Sequence, residues 1–246
     1  MKKISAAIKC LFLTGACIVL TVSTQAQTEH TGWGVFVYSV KLGKKTDLIG
    51  DIQGRTGDGF SHLQTLLLRG GLQVKLKPNL LATAGYAYII PRRTINGISG
   101  YGQEHRLWQQ LIFLHPIGTA SIQHRLRLEQ RFISKSVVEA DALKNQGNFF
   151  ANRIRYFVRG VQPLVTQKPF VKGPFLALQN EVMLQFGDKS GVNGKVFDQN
   201  RLYFAAGRRF SKRFDLEAGY MNQYLLGRGK AFTNNHIAQV AAYIRL

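Results

Sequence analysis

The residues able to do chemistry in this chain are mostly arginines and glutamates, and they sit two apart. Between Glu104 and Arg131 the sequence reads EHRLWQQLIFLHPIGTASIQHRLRLEQR. Glu104, Arg106 and Gln110 share one parity there, and Gln123, Arg125, Arg127, Glu129 and Arg131 share another. Arg69, Arg153, Arg155, Arg159, Glu181, Arg201 and Glu217 recur in the same manner on other stretches. Side chains two apart on a strand lie on one face, so these residues make charged rows. Facing rows of arginine and glutamate form charge-assisted, often bidentate hydrogen bonds. The chemistry indicated is an ion-paired interior and, where arginines outnumber carboxylates, attraction of small anions.

Other chemistries find little in the sequence. The six histidines, His30, His62, His105, His115, His124 and His236, are scattered with no close pair, so no metal site is expected. No phosphate-cradling loop of the G-x-x-x-x-G-K-[ST] type occurs, and no cofactor is implied.

The elements that carry these rows must be strands. Opposite the charges stand Leu107, Leu111 and Phe113 in one segment, and Ile122, Leu126, Leu128 and Phe132 in the next. This is period two, not helical period. Three arginines on one strand (Arg125, Arg127 and Arg131) are rare on the wet face of a soluble sandwich. A charged face under an apolar one is the pattern of membrane barrel strands. Eleven extended segments follow one another, at about 31–41, 46–56, 62–76, 80–94, 101–115, 119–134, 150–163, 174–186, 198–210, 213–227 and 234–246. Most reach the ~9–11 residues that cross a bilayer at a tilt. Tight turns (Gly43-Lys44-Lys45, Lys77-Pro78-Asn79, Pro116-Ile117-Gly118, Ser211-Lys212-Arg213) alternate with longer loops at 57–61, 96–100, 135–149, 187–197 and 227–233. Outer-membrane barrels have this arrangement, with turns periplasmic and loops outside. Aromatic residues gather near segment ends, as in two interfacial girdles. Gly70, Gly71 and Gly85 read as bends in the wall.

Residues 1–26 (MKKISAAIKCLFLTGACIVLTVSTQA) have a basic start, an apolar run over Leu11 to Val22, and small residues before Gln27. This is a cleaved secretory signal peptide, leaving 27–246 as one barrel domain. Cys10 and Cys17 leave with it, so the mature chain has no thiol. The net charge of +20 falls to +17 with the loss of Lys2, Lys3 and Lys9. An exported chain of period-two strands has no nucleic-acid reading motif. Its basicity fits anionic lipid head groups and a basic lumen. The last strand, HIAQVAAYIRL, has Ala238, Val240, Ala242 and Ile244 on one face and resembles the terminal signal read by barrel-assembly machinery.

Strand count is the difficulty. With the tight turns periplasmic, eleven segments bring the first and last strands together in parallel. Single-chain bacterial barrels have even counts. The alternatives are ten strands with 28–41 partly in the lumen, or a twelfth hidden in a loop, so ten to twelve are expected. In the central hairpin, charge complementarity favours Glu104 opposite Arg131, Arg106 opposite Glu129, Trp108 opposite Arg127 and Gln110 opposite Arg125, with Pro116 to Thr119 as a four-residue loop.

Trp33, QTLLLRG (64–70), Gly85-Tyr86, EHRLWQQ (104–110), HRLRLEQRF (124–132), RIRYF (153–157), Asn180-Glu181, FDQNRLY (197–203), EAGYMNQY (217–224) and His236, in this order, resemble the domain-of-unknown-function 2490 family. The resemblance implies a barrel and no activity. The expectation is therefore an all-β, antiparallel, transmembrane up-and-down barrel in a Gram-negative outer membrane. Its lumen charge network comprises Glu104, Arg106, Arg125, Arg127, Glu129, Arg131, Arg153, Arg155, Glu181, Arg201 and Glu217. It is a structural barrel or a narrow, porin-like, anion-preferring channel. The alternative is a membrane-embedded lipid acyl hydrolase or transferase. His105, Gln109 and His124 share the outward parity that such an enzyme needs, but Ser121 falls on the other face, so no nucleophile–base set forms.

Overall fold

The computed structural model describes residues 26–167 and 169–246. The signal peptide expected over 1–26 lies outside the described residues except for Ala26, and Cys10 and Cys17 lie there too.

Twelve strands follow in order: β1 Ala26–Lys41, β2 Thr46–Thr56, β3 Leu63–Lys77, β4 Leu80–Ile95, β5 Ile98–Tyr101, β6 Glu104–Ile117, β7 Ala120–Glu139, β8 Ala142–Pro163, β9 Gly173–Phe186, β10 Phe197–Ser211, β11 Phe214–Leu226 and β12 Phe232–Arg245. A 3-10 turn at Asp58–Phe60 joins β2 to β3. The short β5 pairs only with the projecting end of β4. The other eleven close a barrel, each antiparallel to its neighbours except at one seam. There β1 runs parallel to β12, from Ala26 beside Phe232 to Ser39 beside Arg245. Residues 28–41 are thus wall, not lumen filling. The seam is tied at its end by Leu246 N–H donating to the Ser39 carbonyl at 2.8 Å and Lys41 N–H donating to the Leu246 carbonyl at 2.9 Å. The odd count puts the two ends of the described chain at opposite ends of the barrel.

Alternation decides which face is which. On β6, Glu104, Trp108, Gln110 and Ile112 are buried, and Leu107, Leu111 and Phe113 are exposed. On β9, Phe175, Ala177, Glu181, Met183 and Gln185 are buried, and Leu176, Leu178, Leu184 and Phe186 are exposed. The same alternation holds around the wall, so the outer face is apolar, and the charges point in beside large buried side chains such as Trp33, Trp108, Phe175 and Tyr203. Aromatic pairs gather at both ends of the outer wall. Phe132–Phe150 and Tyr224–Phe232 lie at the loop end, and Phe210–Phe214 at the turn end, with centroids 5.2–5.5 Å apart.

Two expectations are corrected. Residues 135–149 are not a loop. They extend β7 and β8 into a hairpin that turns at Ala140 and Asp141, both with positive φ (48° and 59°). Two central residues of positive φ match the twist of the strands they join. Around the turn Glu139, Lys144 and Gln146 are exposed and Val137, Val138 and Leu143 only half-buried, so the inside–outside contrast of the wall is weak there. The central hairpin register is also different. Gly118 and Thr119 form a two-residue turn with Gly118 at φ +61°, and Ile117 pairs with Ala120. Arg106 therefore stands opposite Arg131, Trp108 opposite Glu129, and Gln110 opposite Arg127, while Pro116 pairs within the strand end. The ion pairs that favoured the other register still form, along diagonals. Arg131 Nε donates to Glu104 Oε1 at 2.6 Å, and the Arg127 guanidinium lies 4.7 Å from the Trp108 ring. Long side chains reach a diagonal neighbour as readily as a direct one, so charge complementarity did not select the register; the short turn did.

Gly71 and Gly85 face each other on the inner wall beneath the Trp108 indole. A Cβ on either would lie 2.8 or 2.5 Å from Trp108 Cζ2. They make room for a buried ring, a reason beyond wall curvature.

Candidate functional site

The lumen holds a continuous network of guanidinium and carboxylate groups, carried by residues two apart on adjoining strands. Glu129 on β7 is its centre. Its Oε2 accepts Arg153 Nε (2.9 Å) and Nη2 (2.6 Å), and its Oε1 accepts Arg155 Nη1 (2.6 Å). Arg153 continues to Asp198 at 2.7 Å. Arg155 continues to Glu181, which also accepts Arg125 Nη2 at 2.8 Å and lies 3.8 Å from Arg201. Glu104 accepts Arg106 and Arg131, each at 2.6 Å. Glu217 accepts Arg159 at 2.5 Å and the Tyr243 hydroxyl at 2.8 Å. All eleven charges expected in the lumen face inward, as do Arg69 and Arg159.

Several members have no counterpart in the sequence reading. Asp51 accepts Arg69 Nε at 2.7 Å, and Asp215 holds Arg209 (2.8 and 2.9 Å) and Arg245 (2.6 Å) at the turn end. Asp51, Gln53 and Arg55 alternate on β2 and were findable by parity. Asp198, Arg209 and Asp215 lie near the ends of segments read as strands, at 198–210 and 213–227, and the sequence reading does not carry the inward parity that far. With them the described network joins seven carboxylates (Asp51, Glu104, Glu129, Glu181, Asp198, Asp215, Glu217) and twelve arginines (Arg55, Arg69, Arg106, Arg125, Arg127, Arg131, Arg153, Arg155, Arg159, Arg201, Arg209, Arg245).

The surplus arginines lie on aromatic and amide groups. Trp33 is sandwiched between Arg55 (4.0 Å) and Arg201 (4.9 Å). Arg125 covers Phe157 at 4.1 Å. Arg127 donates Nε and Nη2 to Gln110 Oε1 at 3.0 and 2.6 Å, and its nearest carboxylate oxygen is 4.0 Å away on Glu129. Guanidiniums over aromatic faces gain electrostatic stabilisation without a counter-charge. The network separates two cavities. One of about 410 Å³ lies toward the turn end, among Ser39, Leu81, Leu114, Gln123 and Tyr243. The other, of about 260 Å³, lies toward the loop end, among Arg55, Arg106, Arg131, Asp198 and Gln223. Gln53, Arg69, Arg155 and Arg201 border both.

The outward polar residues pair with one another. His105 Nδ1 lies 2.5 Å from the Tyr86 hydroxyl, near the loop end, and His124 Nδ1 lies 2.8 Å from the Tyr156 hydroxyl, near the turn end. Gln109 and Gln130 exchange amide hydrogen bonds at 3.2 Å. The histidines are not all apart in space, contrary to the sequence reading. His30 stacks on His236 and His115 on His124, both with centroids 5.2 Å apart. Among the described residues no group of three or more His, Cys, Asp and Glu could hold a metal ion.

A closed barrel with an ion-paired interior and an apolar outer wall is the class this fold and site define. The family model described as "Protein of unknown function (DUF2490)" matches residues 30–234, and the chain belongs to that family. It is also similar to an uncharacterised protein of Methylorubrum extorquens, with 21% identity over 239 residues, 96% of this chain and 97% of that one.

Proposed function

We propose that the protein is a Gram-negative outer-membrane barrel that spans the bilayer with eleven strands and is held shut at its waist by the Glu129–Arg153–Arg155–Glu181 network. The single observation that carries this is the inverted wall: Leu107, Leu111, Leu126, Leu128, Leu176 and Leu178 are exposed while Glu104, Glu129, Arg153 and Glu181 are buried. Such an exterior is satisfied by lipid, whereas monomeric soluble proteins rarely expose contiguous apolar patches larger than a few hundred Å². The polar side chains on that wall support the same reading, because Gln109–Gln130 and the His–Tyr pairs satisfy one another where lipid offers no partner. Its partners are outer-membrane lipids and, during insertion, barrel-assembly machinery. Its role is structural at rest, and ions that pass the waist are small anions, because arginines exceed carboxylates there. A catalytic role is not proposed: His105 and His124 face tyrosine hydroxyls and not a serine. Membrane fractionation with gel mobility tests the reading. Recovery in the outer membrane and a mobility shift on boiling are expected. A soluble periplasmic protein whose mobility ignores heating overturns it.

A further inference from the structure

The larger interior cavity has both halves of a ligand site. Arg127 is 3% exposed and Trp108 2% exposed. Arg127 Nη1, Arg125 Nε and Trp108 Nε1 are buried and have no hydrogen-bond partner among the described residues. All three residues line the cavity of about 410 Å³. Buried N–H donors without acceptors are costly, and a guanidinium without a close carboxylate more so. Of the other arginines lining the cavity, Arg69 pairs with Asp51 and Arg159 with Glu217, while Arg125, Arg155 and, at 3.8 Å, Arg201 share Glu181. Arginines therefore outnumber carboxylates at this level, and Arg127 has no carboxylate oxygen closer than 4.0 Å. The cavity wall carries an apolar group of Val37, Ile49, Ile112, Leu114 and Phe157 beside the polar Asp51, Gln73, Gln123 and Glu181. The volume lies within the ~300–1,000 Å³ of small-molecule pockets.

We propose that this cavity binds a small organic carboxylate, with its carboxylate on Arg127, Arg125 and the Trp108 indole N–H and its apolar body against Phe157, Ile112 and Leu114. The surplus positive charge selects an anion, and the apolar groups in the wall select against a bare inorganic ion. The ligand enters from the turn end, where the cavity reaches Ser39, Gln123 and Tyr243. The site depends on the interior alone and stands whether or not the barrel lies in a membrane or its waist conducts.

The test is calorimetric titration of the detergent-refolded protein with benzoate, with benzyl alcohol as the neutral analogue and chloride as the bare anion. Saturable one-to-one benzoate binding is expected, at least tenfold tighter than benzyl alcohol or chloride. Arg127→Gln is expected to weaken benzoate at least tenfold. Leu114→Trp, which fills the apolar half, is expected to abolish benzoate binding with the arginines intact, and it decides the matter if Arg127→Gln does not refold. No benzoate binding, equal binding of benzyl alcohol or of chloride, or benzoate affinity unchanged in both variants overturns the proposal.

Discussion

Replacing Glu129 with glutamine removes the charge at the centre of the lumen and leaves its shape. Glu129 is 2% exposed and accepts three hydrogen bonds from two arginines, at 2.6–2.9 Å, with Arg106 at 3.7 Å and Arg127 at 4.0 Å. Removing one partner of a buried ion pair costs roughly 3–5 kcal/mol, because the other charge stays buried. Here Arg153 retains Asp198 and Arg155 retains Glu181, which moderates the loss. A charge-assisted hydrogen bond contributes about 1.5–3 kcal/mol, and Glu129→Gln is therefore expected to lower unfolding stability by about 3 kcal/mol. Trp33 and Trp108, both in the lumen, report unfolding by the red shift of their emission in a denaturant titration of the refolded barrel. Glu129→Gln with Arg153→Gln should cost less than the sum of the single changes, with a coupling of about 1–3 kcal/mol. A loss below about 0.5 kcal/mol, the size of an unremarkable surface change, or strictly additive single effects, would refute the view that this network holds the lumen together.

Gly85→Ala should destabilise by about 1–3 kcal/mol through overpacking against Trp108, while Gly54→Ala, whose nearest neighbour would be Leu63 Cδ1 at 3.9 Å, should be near neutral by the same denaturant titration. In protein made from Gln27 onward, which has no native cysteine, Leu111→Cys with Leu126→Cys should cross-link faster than Leu111→Cys with His124→Cys, because Leu111 faces Leu126 directly; the reverse order on a non-reducing gel would contradict the two-residue turn. The parallel β1–β12 seam puts a tag ahead of Glu29 and a tag after Leu246 at opposite ends of the barrel. Intact cells should expose the first to antibody and hide the second, and equal accessibility would contradict the eleven-strand closure.

Much of this architecture was legible in the sequence because a barrel wall has only two faces. Parity alone assigned Glu104, Arg127, Glu129, Arg153 and Glu181 to one side and Leu107, Leu126 and Leu128 to the other. Segment spacing located all eleven wall strands, but the parallel seam that an odd count forces was read as a difficulty, which left ten to twelve strands open. Parity does not say which charges meet across the lumen. Arg159 finds Glu217 fifty-eight residues away and Arg125 finds Glu181 fifty-six away, pairings set by closure of the wall and not by neighbours in the chain. Residues 135–149 were missed because alternation carries a signal only where the two faces of a strand see different surroundings. The Trp108 seat on Gly71 and Gly85 was missed because a glycine in a strand reads alike whether it bends the wall or admits a ring.

The central claim is an apolar-walled barrel that spans a bilayer and is closed at its waist by charge, and paired conductance recordings in planar bilayers test it most directly. The account predicts a quiet wild type and anion-selective openings in Glu129→Ala combined with Arg153→Ala, read as a reversal potential in a salt gradient. Steady wild-type openings, cation selectivity in the double variant, or silence from both proteins would contradict it.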